Sequence, residues 1–245
     1  MLHRFPLLPS TNDEALRLAR EGAPALDAVV ADAQTAGRGR AGHDWASPPG
    51  VALYFSVILR PRLDAAALPL VTLACGLGVA GAVRSATGLD ARLKWPNDVL
   101  VNGRKCAGIL CEGDSGPDGP VVVAGVGLNV NTPASALPER PIFPATSLLL
   151  EAGAPQDREA LLAACLDGIA RQCARLEEPD GPAAVVARFN ERDALRGRRV
   201  RVALPDGTVA CGAALGCAPS GALLLDAPEG PREILAGSVA LDDGA

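Results

Sequence analysis

Near Leu195 the chain changes texture, and that change limits what it can fold into. Beyond it, short apolar runs are broken by Asp206-Gly207, Ser220-Gly221 and Glu229-Gly230, the pattern of a small antiparallel barrel. Before it, strand-length and helix-length segments are mixed. One large domain of mixed strands and helices followed by a small barrel of about fifty residues is therefore expected. A length of 245 residues suits that division, and 49% hydrophobic against 21% charged residues supply a packed core and exclude disorder as the main state.

Within the first part, Thr11 to Glu14 (TNDE) reads as a capping box opening a helix that carries Ala15, Leu16, Leu18 and Ala19 and stops at Gly22. Residues 28–33 and 51–59 read as strands with a loop over 34–42, and residues 69–86 as a buried helix. Short strands follow at 92–95, 99–101 and 108–112, with Asn102-Gly103 a hairpin turn between the last two. Residues 121–131 form a strand interrupted by Gly125 and Gly127, which marks a close approach to the backbone. The Pro-rich 131–146 stretch is expected to be an irregular, flexible loop. Helices are expected over 157–177 and 182–190, with Leu161, Leu162, Cys165, Leu166, Ile169 and Cys173 on one core stripe.

Residues 65–83 carry no charge and imitate a membrane span, but they are rich in Ala and Gly and contain Pro69, so a buried helix is expected. The first residues turn polar too early for a secretory leader. A net charge of −5 argues against nucleic-acid or anionic-membrane binding over the whole surface. Seven cysteines without a Cys-x-x-Cys pair suggest neither a disulfide framework nor a zinc knuckle. They read as small buried hydrophobes in a reducing, cytoplasmic setting.

Of 23 Lys plus Arg, only Lys94 and Lys105 are lysines, and both fall in LKWPNDVLVNGRKCAGIL. A chain that otherwise chooses arginine writes lysine where a compact ammonium is needed. The two tryptophans, Trp45 and Trp95, also border polar motifs. G-x-G-x-x-G occurs twice, at 76–81 inside an apolar helix and at 37–42 before HDWASPPG, and neither context opens a dinucleotide-binding helix. The 37–42 run instead places Arg38 and Arg40 on a glycine-rich loop suited to a carboxylate or phosphate. No Ser-His-Asp or Cys-His nucleophile is evident, His3 and His43 being the only histidines.

Taken together, Ser10-Thr11-Asn12, Gln34 before GRGRAGHDW (37–45), LKWPND (93–98), RKCAGIL (104–110) and GVGLNVN (125–131) resemble the biotin protein ligases in order and spacing. The fold that this implies is α+β, a mixed sheet backed by helices of the class II synthetase-like kind over 1–194, then a small SH3-like β-barrel over 195–245. The resemblance also implies ATP- and Mg²⁺-dependent attachment of biotin, through biotinyl-5′-AMP, to a lysine of a biotin carboxyl carrier domain of a carboxylase. It gives Ser10, Thr11, Asn12 and Gln34 as polar contacts to biotin's ureido ring. Arg38, Gly39 and Arg40 become the loop closing over the biotin tail and the adenylate phosphate. Lys94 becomes the ammonium near the carboxylate and α-phosphate, forming with Arg40 the catalytic pair. Gly125 and Gly127 would let the apolar tail lie on the strand, while Trp45 and Asn129 fall on the nucleotide or metal side. The Mg²⁺ ligands stay unassigned.

Beside that reading, Asn97 and Asp98 can form an Asx-type turn, and Lys105 reads as a solvated hairpin lysine outside the catalytic set. The family loop commonly carries a third arginine where this chain has His43-Asp44, a weaker anion clamp. The motifs begin at Ser10, which leaves no room for the N-terminal helix-turn-helix of repressor members. A lipoate or octanoate ligase or transferase, and a non-catalytic biotin-binding regulator, are the alternatives.

Overall fold

The computed structural model describes residues 1–116, 119–139 and 143–242. Its larger sheet contains β1 (Leu2–Leu8), β2 (Ala28–Gln34), β3 (Leu53–Leu59), β4 (Arg92–Lys94), β5 (Asp98–Val101), β6 (Arg104–Gly116) and β7 (Gly119–Leu128). The spatial order is β1-β2-β3-β7-β6-β5-β4. The β1–β2 pair is parallel and the rest are antiparallel, so the sheet is mixed as expected. Helix α1 (Thr11–Arg20) makes the crossover from β1 to β2. It covers one face of the sheet, where Ala15 and Ala19 meet Val29, Ile58, Val121 and Val123.

The opposite face is covered by α2 (Leu70–Thr87), the helix that imitates a membrane span. It is a core helix, with 61% of its residues buried inside the protein. It packs closely on α4 (Arg158–Leu176): a Cβ on Gly78 would stand 2.6 Å from the Ile169 backbone nitrogen, against Gly168. Glycine on both sides is what lets the two helix backbones approach. Each leucine buried there contributes roughly 2 kcal/mol.

Two further helices, α3 (Leu148–Ala152) and α5 (Gly181–Arg192), lead to the second sheet. Its strands are β8 (Arg199–Ala203), β9 (Val209–Cys217), β10 (Leu223–Ala227), β11 (Gly230–Ile234) and β12 (Ser238–Leu241), antiparallel in the order β11-β10-β9-β8-β12. The two sheets share one apolar core. Trp95 Nε1 donates to the Gly221 carbonyl at 2.9 Å. Asn190 brackets Cys217, donating to its carbonyl at 3.1 Å and accepting from its N–H at 2.6 Å. Trp95 is thus a core and joint residue, not a ligand contact.

Several local expectations are corrected. Strand β1 and helix α3 were not predicted. The N-cap of α1 is Ser10, whose hydroxyl accepts from Asn12 N–H, while Glu14 is held by Arg17 at 2.7 Å; no capping box forms, because the Thr11 hydroxyl is drawn to Gln34 and Ser56. Asp98 begins β5 rather than an Asx turn, since two ammoniums claim its carboxylate. The 131–146 stretch is not irregular throughout: Lys105 N–H donates to Pro144 O and Thr146 N–H to Lys105 O, both at 2.8 Å, strapping its end to β6; residues 140–142 lie outside the described residues. The hairpin turn at Asn102-Gly103 is present, with φ of 50° and 74° as a primed turn requires. All seven cysteines are free, and burial pushes Cys106 and Cys165 up to about 12, keeping them protonated.

Candidate active site

Helix α1 begins where β1 ends, which sets Ser10, Thr11 and Asn12, all buried, beside Gln34 at the end of β2. Thr11 N–H donates to Gln34 Oε1 at 2.8 Å, and Gln34 Nε2 donates to Ser47 Oγ at 3.0 Å. Ser56, inside the otherwise apolar β3, lies 2.8 Å from Thr11 Oγ1 and donates to Asn12 Oδ1 at 2.6 Å. Asn12 Nδ2 donates to Glu112 Oε2 at 2.6 Å. These bonds fix the amide and hydroxyl groups before any ligand arrives. They build the neutral, polar end of a cavity of about 580 Å³.

The other end is cationic. Lys94 Nζ stands 3.1 Å from Asp98 Oδ2, and Lys105 Nζ stands 2.5 Å from Asp98 Oδ1. The three side chains are only 7%, 15% and 9% exposed for Lys94, Lys105 and Asp98. Burial would raise the Asp98 pKa, but the two ammoniums outweigh it and hold the carboxylate below its ordinary value. Lys94 also caps the Phe143 ring at 4.9 Å and Lys105 the Trp45 ring at 5.3 Å. Arg40 reaches the same cavity, half-buried, and its guanidinium has no hydrogen-bond or ion-pair partner among the described residues. Burial lowers its pKa and the Asp98 charge opposes that. Among these four groups the single carboxylate of Asp98 is shared by three cations, and that local excess of positive charge suits an anion.

The arginine loop is a small hairpin rather than a loose strap. Gly39 N–H donates to His43 O at 2.6 Å and Trp45 N–H to Gly37 O at 2.9 Å. Its tip turns through Ala41 and Gly42 at positive φ. The two arginines diverge: Arg40 faces the cavity, whereas Arg38 is bidentate on Asp13, at 2.9 and 2.7 Å, and also donates to Glu112 at 3.0 Å. His43 lines the cavity mouth, and its backbone carbonyl closes the hairpin.

Gly125 and Gly127 both line the cavity, but protein side chains cover them. A Cβ on Gly125 would collide with the Asn12 amide, and one on Gly127 with the Trp45 indole. Their lack of a Cβ is what makes room for these two side chains over β7. Residues 203–205 and 236–239 of the second sheet complete the wall.

Sequence models agree with this arrangement over most of the chain. That of the Biotin/lipoate A/B protein ligase family matches residues 5–129, and that of the Biotin protein ligase C terminal domain matches residues 196–242. The chain is 37% identical over 234 residues to the biotin--[acetyl-CoA-carboxylase] ligase of Paracoccus denitrificans, spanning 94% of this chain and 96% of that one. The chain belongs to the biotin protein ligases. It is also 34% identical over 236 residues to the bifunctional ligase/repressor BirA of Bacillus subtilis, spanning 96% of this chain and 72% of the other. Among solved structures, the biotin protein ligase of Aquifex aeolicus in complex with biotin and ATP superposes with a TM-score of 0.83 at 31% identity, over 98% of this chain and 97% of that one.

In this biotin protein ligase the cavity gathers Ser10, Thr11, Asn12, Gln34, Arg38, Gly39, Arg40, Trp45, Lys94, Gly125 and Gly127. Asn129 is apart from them. Its Nδ2 donates to Thr146 O at 3.0 Å, and it lines a second recess of about 20 Å³ behind Trp45, with Thr132 and Lys105. Trp45 Nε1, which lies over Gly127, and Thr132 Oγ1 are buried without a partner among the described residues. Sequence reasoning missed three residues of the main site. Lys105 is no solvated hairpin lysine, and its scarcity was the available signal. Asp98 was weighed as a turn. Ser56 had one signal, a lone hydroxyl inside VALYFSVIL.

Proposed function

We propose that this biotin protein ligase joins biotin to a lysine of a biotin carboxyl carrier domain of a carboxylase, in a reducing cytoplasm, using ATP with Mg²⁺ as its counterion. The observation that carries the reading is the buried Lys94–Asp98–Lys105 group, with Arg40 beside it unpaired among the described residues, across from a neutral polar cluster. A ligand with a polar, uncharged ring and a carboxylate tail matches the two ends. In the first half-reaction a biotin carboxylate oxygen attacks the α-phosphorus of ATP. The bond from that phosphorus to the bridging oxygen breaks, and pyrophosphate leaves with its electron pair. Two anions must be brought together, and Lys94 and Arg40, with Lys105, neutralise the charge that builds. In the second, the acceptor lysine amine attacks the acyl carbon and AMP departs.

Thr11, Asn12 and Gln34, steadied by Ser10 and Ser56, are the groups offered to the ureido ring. Trp45 and Asn129 stand on the nucleotide side, and the recess of about 20 Å³ between Asn129 and Thr132 has room for a water rather than a base. Mg²⁺, when it accompanies ATP, would add to the neutralisation of phosphate charge that Lys94, Arg40 and Lys105 provide. Residues 1–194 act as the catalytic domain, with 195–245 as a C-terminal domain that walls the cavity.

Pyrophosphate release on mixing the protein with biotin and ATP tests the first half-reaction, and a mass gain on a carrier domain tests the second. Release with lipoate or octanoate but not biotin would reassign the substrate. Binding of biotin with no pyrophosphate release would leave a regulator and reject the ligase.

A further inference from the structure

We propose that Asp13 and Glu112 are positioning residues that latch the 37–42 hairpin shut through Arg38 and so retain the acyl-adenylate until the acceptor lysine arrives. The proposal rests on the ligase reading above. Arg38 and Arg40 stand two positions apart on one hairpin, yet of the two only Arg38 has hydrogen-bond partners among the described residues. The Arg38 guanidinium spends both terminal nitrogens on carboxylates, two bonds to Asp13 and two to Glu112, so its charge is already neutralised and its part is mechanical.

The tether has two anchors. Asp13 lies in the first turn of α1 and Glu112 on β6, the two elements that frame the neutral end of the cavity. Glu112 Oε2 also accepts from Asn12 Nδ2 at 2.6 Å, and Asn12 Oδ1 accepts from Ser56. Arg38, Glu112, Asn12 and Ser56 thus form one hydrogen-bonded chain from the hairpin to the ring-recognising cluster. A ligand that holds Asn12 in place also holds the carboxylate that grips the hairpin. Because the hairpin is braced internally at Gly37–Trp45 and Gly39–His43, fixing Arg38 fixes the direction in which Arg40 points.

The latch is built to open. Arg38, Asp13 and Glu112 are 37%, 52% and 32% exposed, so water and salt reach the pairs and screen them. A fully buried clamp would trap its product.

The experiment forms the adenylate on the enzyme from biotin and ATP, removes free ligand, and follows both release of the adenylate and lysine labelling of a bystander protein. Asp13→Asn is the main variant, because Asp13 is exposed and touches only Arg38 in this network. Its release should be about threefold to fivefold faster than wild type, the range that exposed ion pairs deliver, with initial pyrophosphate formation within about twofold. Raising NaCl from roughly 50 mM to roughly 500 mM should speed wild-type release toward the variant's and barely move the variant. Arg38→Gln and the Asp13→Asn/Arg38→Gln double variant should release alike, as coupled residues do, and Asp13→Glu should restore retention. Release from Asp13→Asn at the wild-type rate, or additive effects in the double variant, would overturn the latch. No pyrophosphate from wild type would instead reject the ligase reading itself.

Discussion

Two ammoniums brought within reach of each other repel, and only a shared counter-charge lets both stay buried. Asp98 supplies it, with one oxygen on Lys94 and the other on Lys105. Geometry of this kind depends on a compact, three-donor head group. A planar guanidinium in place of either ammonium keeps the charge but needs more room and a different approach. Lys94→Arg should therefore stay folded, with a melting temperature near wild type, yet lose about a hundredfold in pyrophosphate release at saturating biotin and ATP, the loss that a displacement of about 1 Å brings. Turnover within a few-fold of wild type would remove Lys94 from the reaction. At this scale the sequence was partly legible. Scarcity of lysine marked the right segment, but Lys105 looked solvated because the strap at Pro144 and Thr146 and the overlying Trp45 come from residues far along the chain.

At the scale of elements, the strand β7 carries glycine where two side chains from other elements must come down on it. Asn12 from the start of α1 occupies the space over Gly125. An added methyl group there pushes the Asn12 amide off Ser56 and Glu112, and each lost hydrogen bond is worth about 1 kcal/mol. Gly125→Ala should raise the KM for biotin by about tenfold, with the KM for ATP changed far less, as read from pyrophosphate release at varied biotin and at varied ATP. An unchanged KM for biotin would mean that Asn12 takes no part in binding it. The glycines announced a close approach in the sequence; which groups approach did not show, because that depends on the β1–α1–β2 crossover. Strand β1 itself was hidden. Its residues alternate weakly, with Leu2 and Leu7 exposed at the sheet edge, and only its parallel pairing with β2 makes it a strand. Helix α2 was legible because its apolar character is continuous along its length, and so was the α4 stripe.

Across the whole molecule, the break in texture near Leu195 located the second sheet, but not its service as a cavity wall. That docking is made by contacts between residues distant in sequence, Trp95 with Gly221 and Asn190 with Cys217, which no local pattern reports. Asp193 sits at the same joint, between α5 and β8. It is 4% exposed, Oδ1 accepts from Leu195 N–H at 2.9 Å, and Oδ2 has no partner among the described residues. Burial pushes its pKa up to about 6, against the pull of the Leu195 N–H and of Arg196, Lys94 and Arg92. The ordinary value is 3.8, so between about pH 4 and 6 the folded chain holds a proton that the unfolded chain has lost. Stability must then fall as pH rises through that window, and above it a buried charge remains as a standing penalty. Asp193→Asn keeps an acceptor for Leu195 and removes the charge. It should stabilise the protein at pH 8 by up to about 3 kcal/mol, at about 1.4 kcal/mol per pKa unit, and raise the melting temperature by about 6 °C. Below about pH 4, where Asp193 is protonated in both states, the gain should vanish. A melting-temperature difference that is constant from pH 4 to pH 8, or a variant less stable than wild type at pH 8, would show that this carboxylate is compensated at the joint and does not burden it.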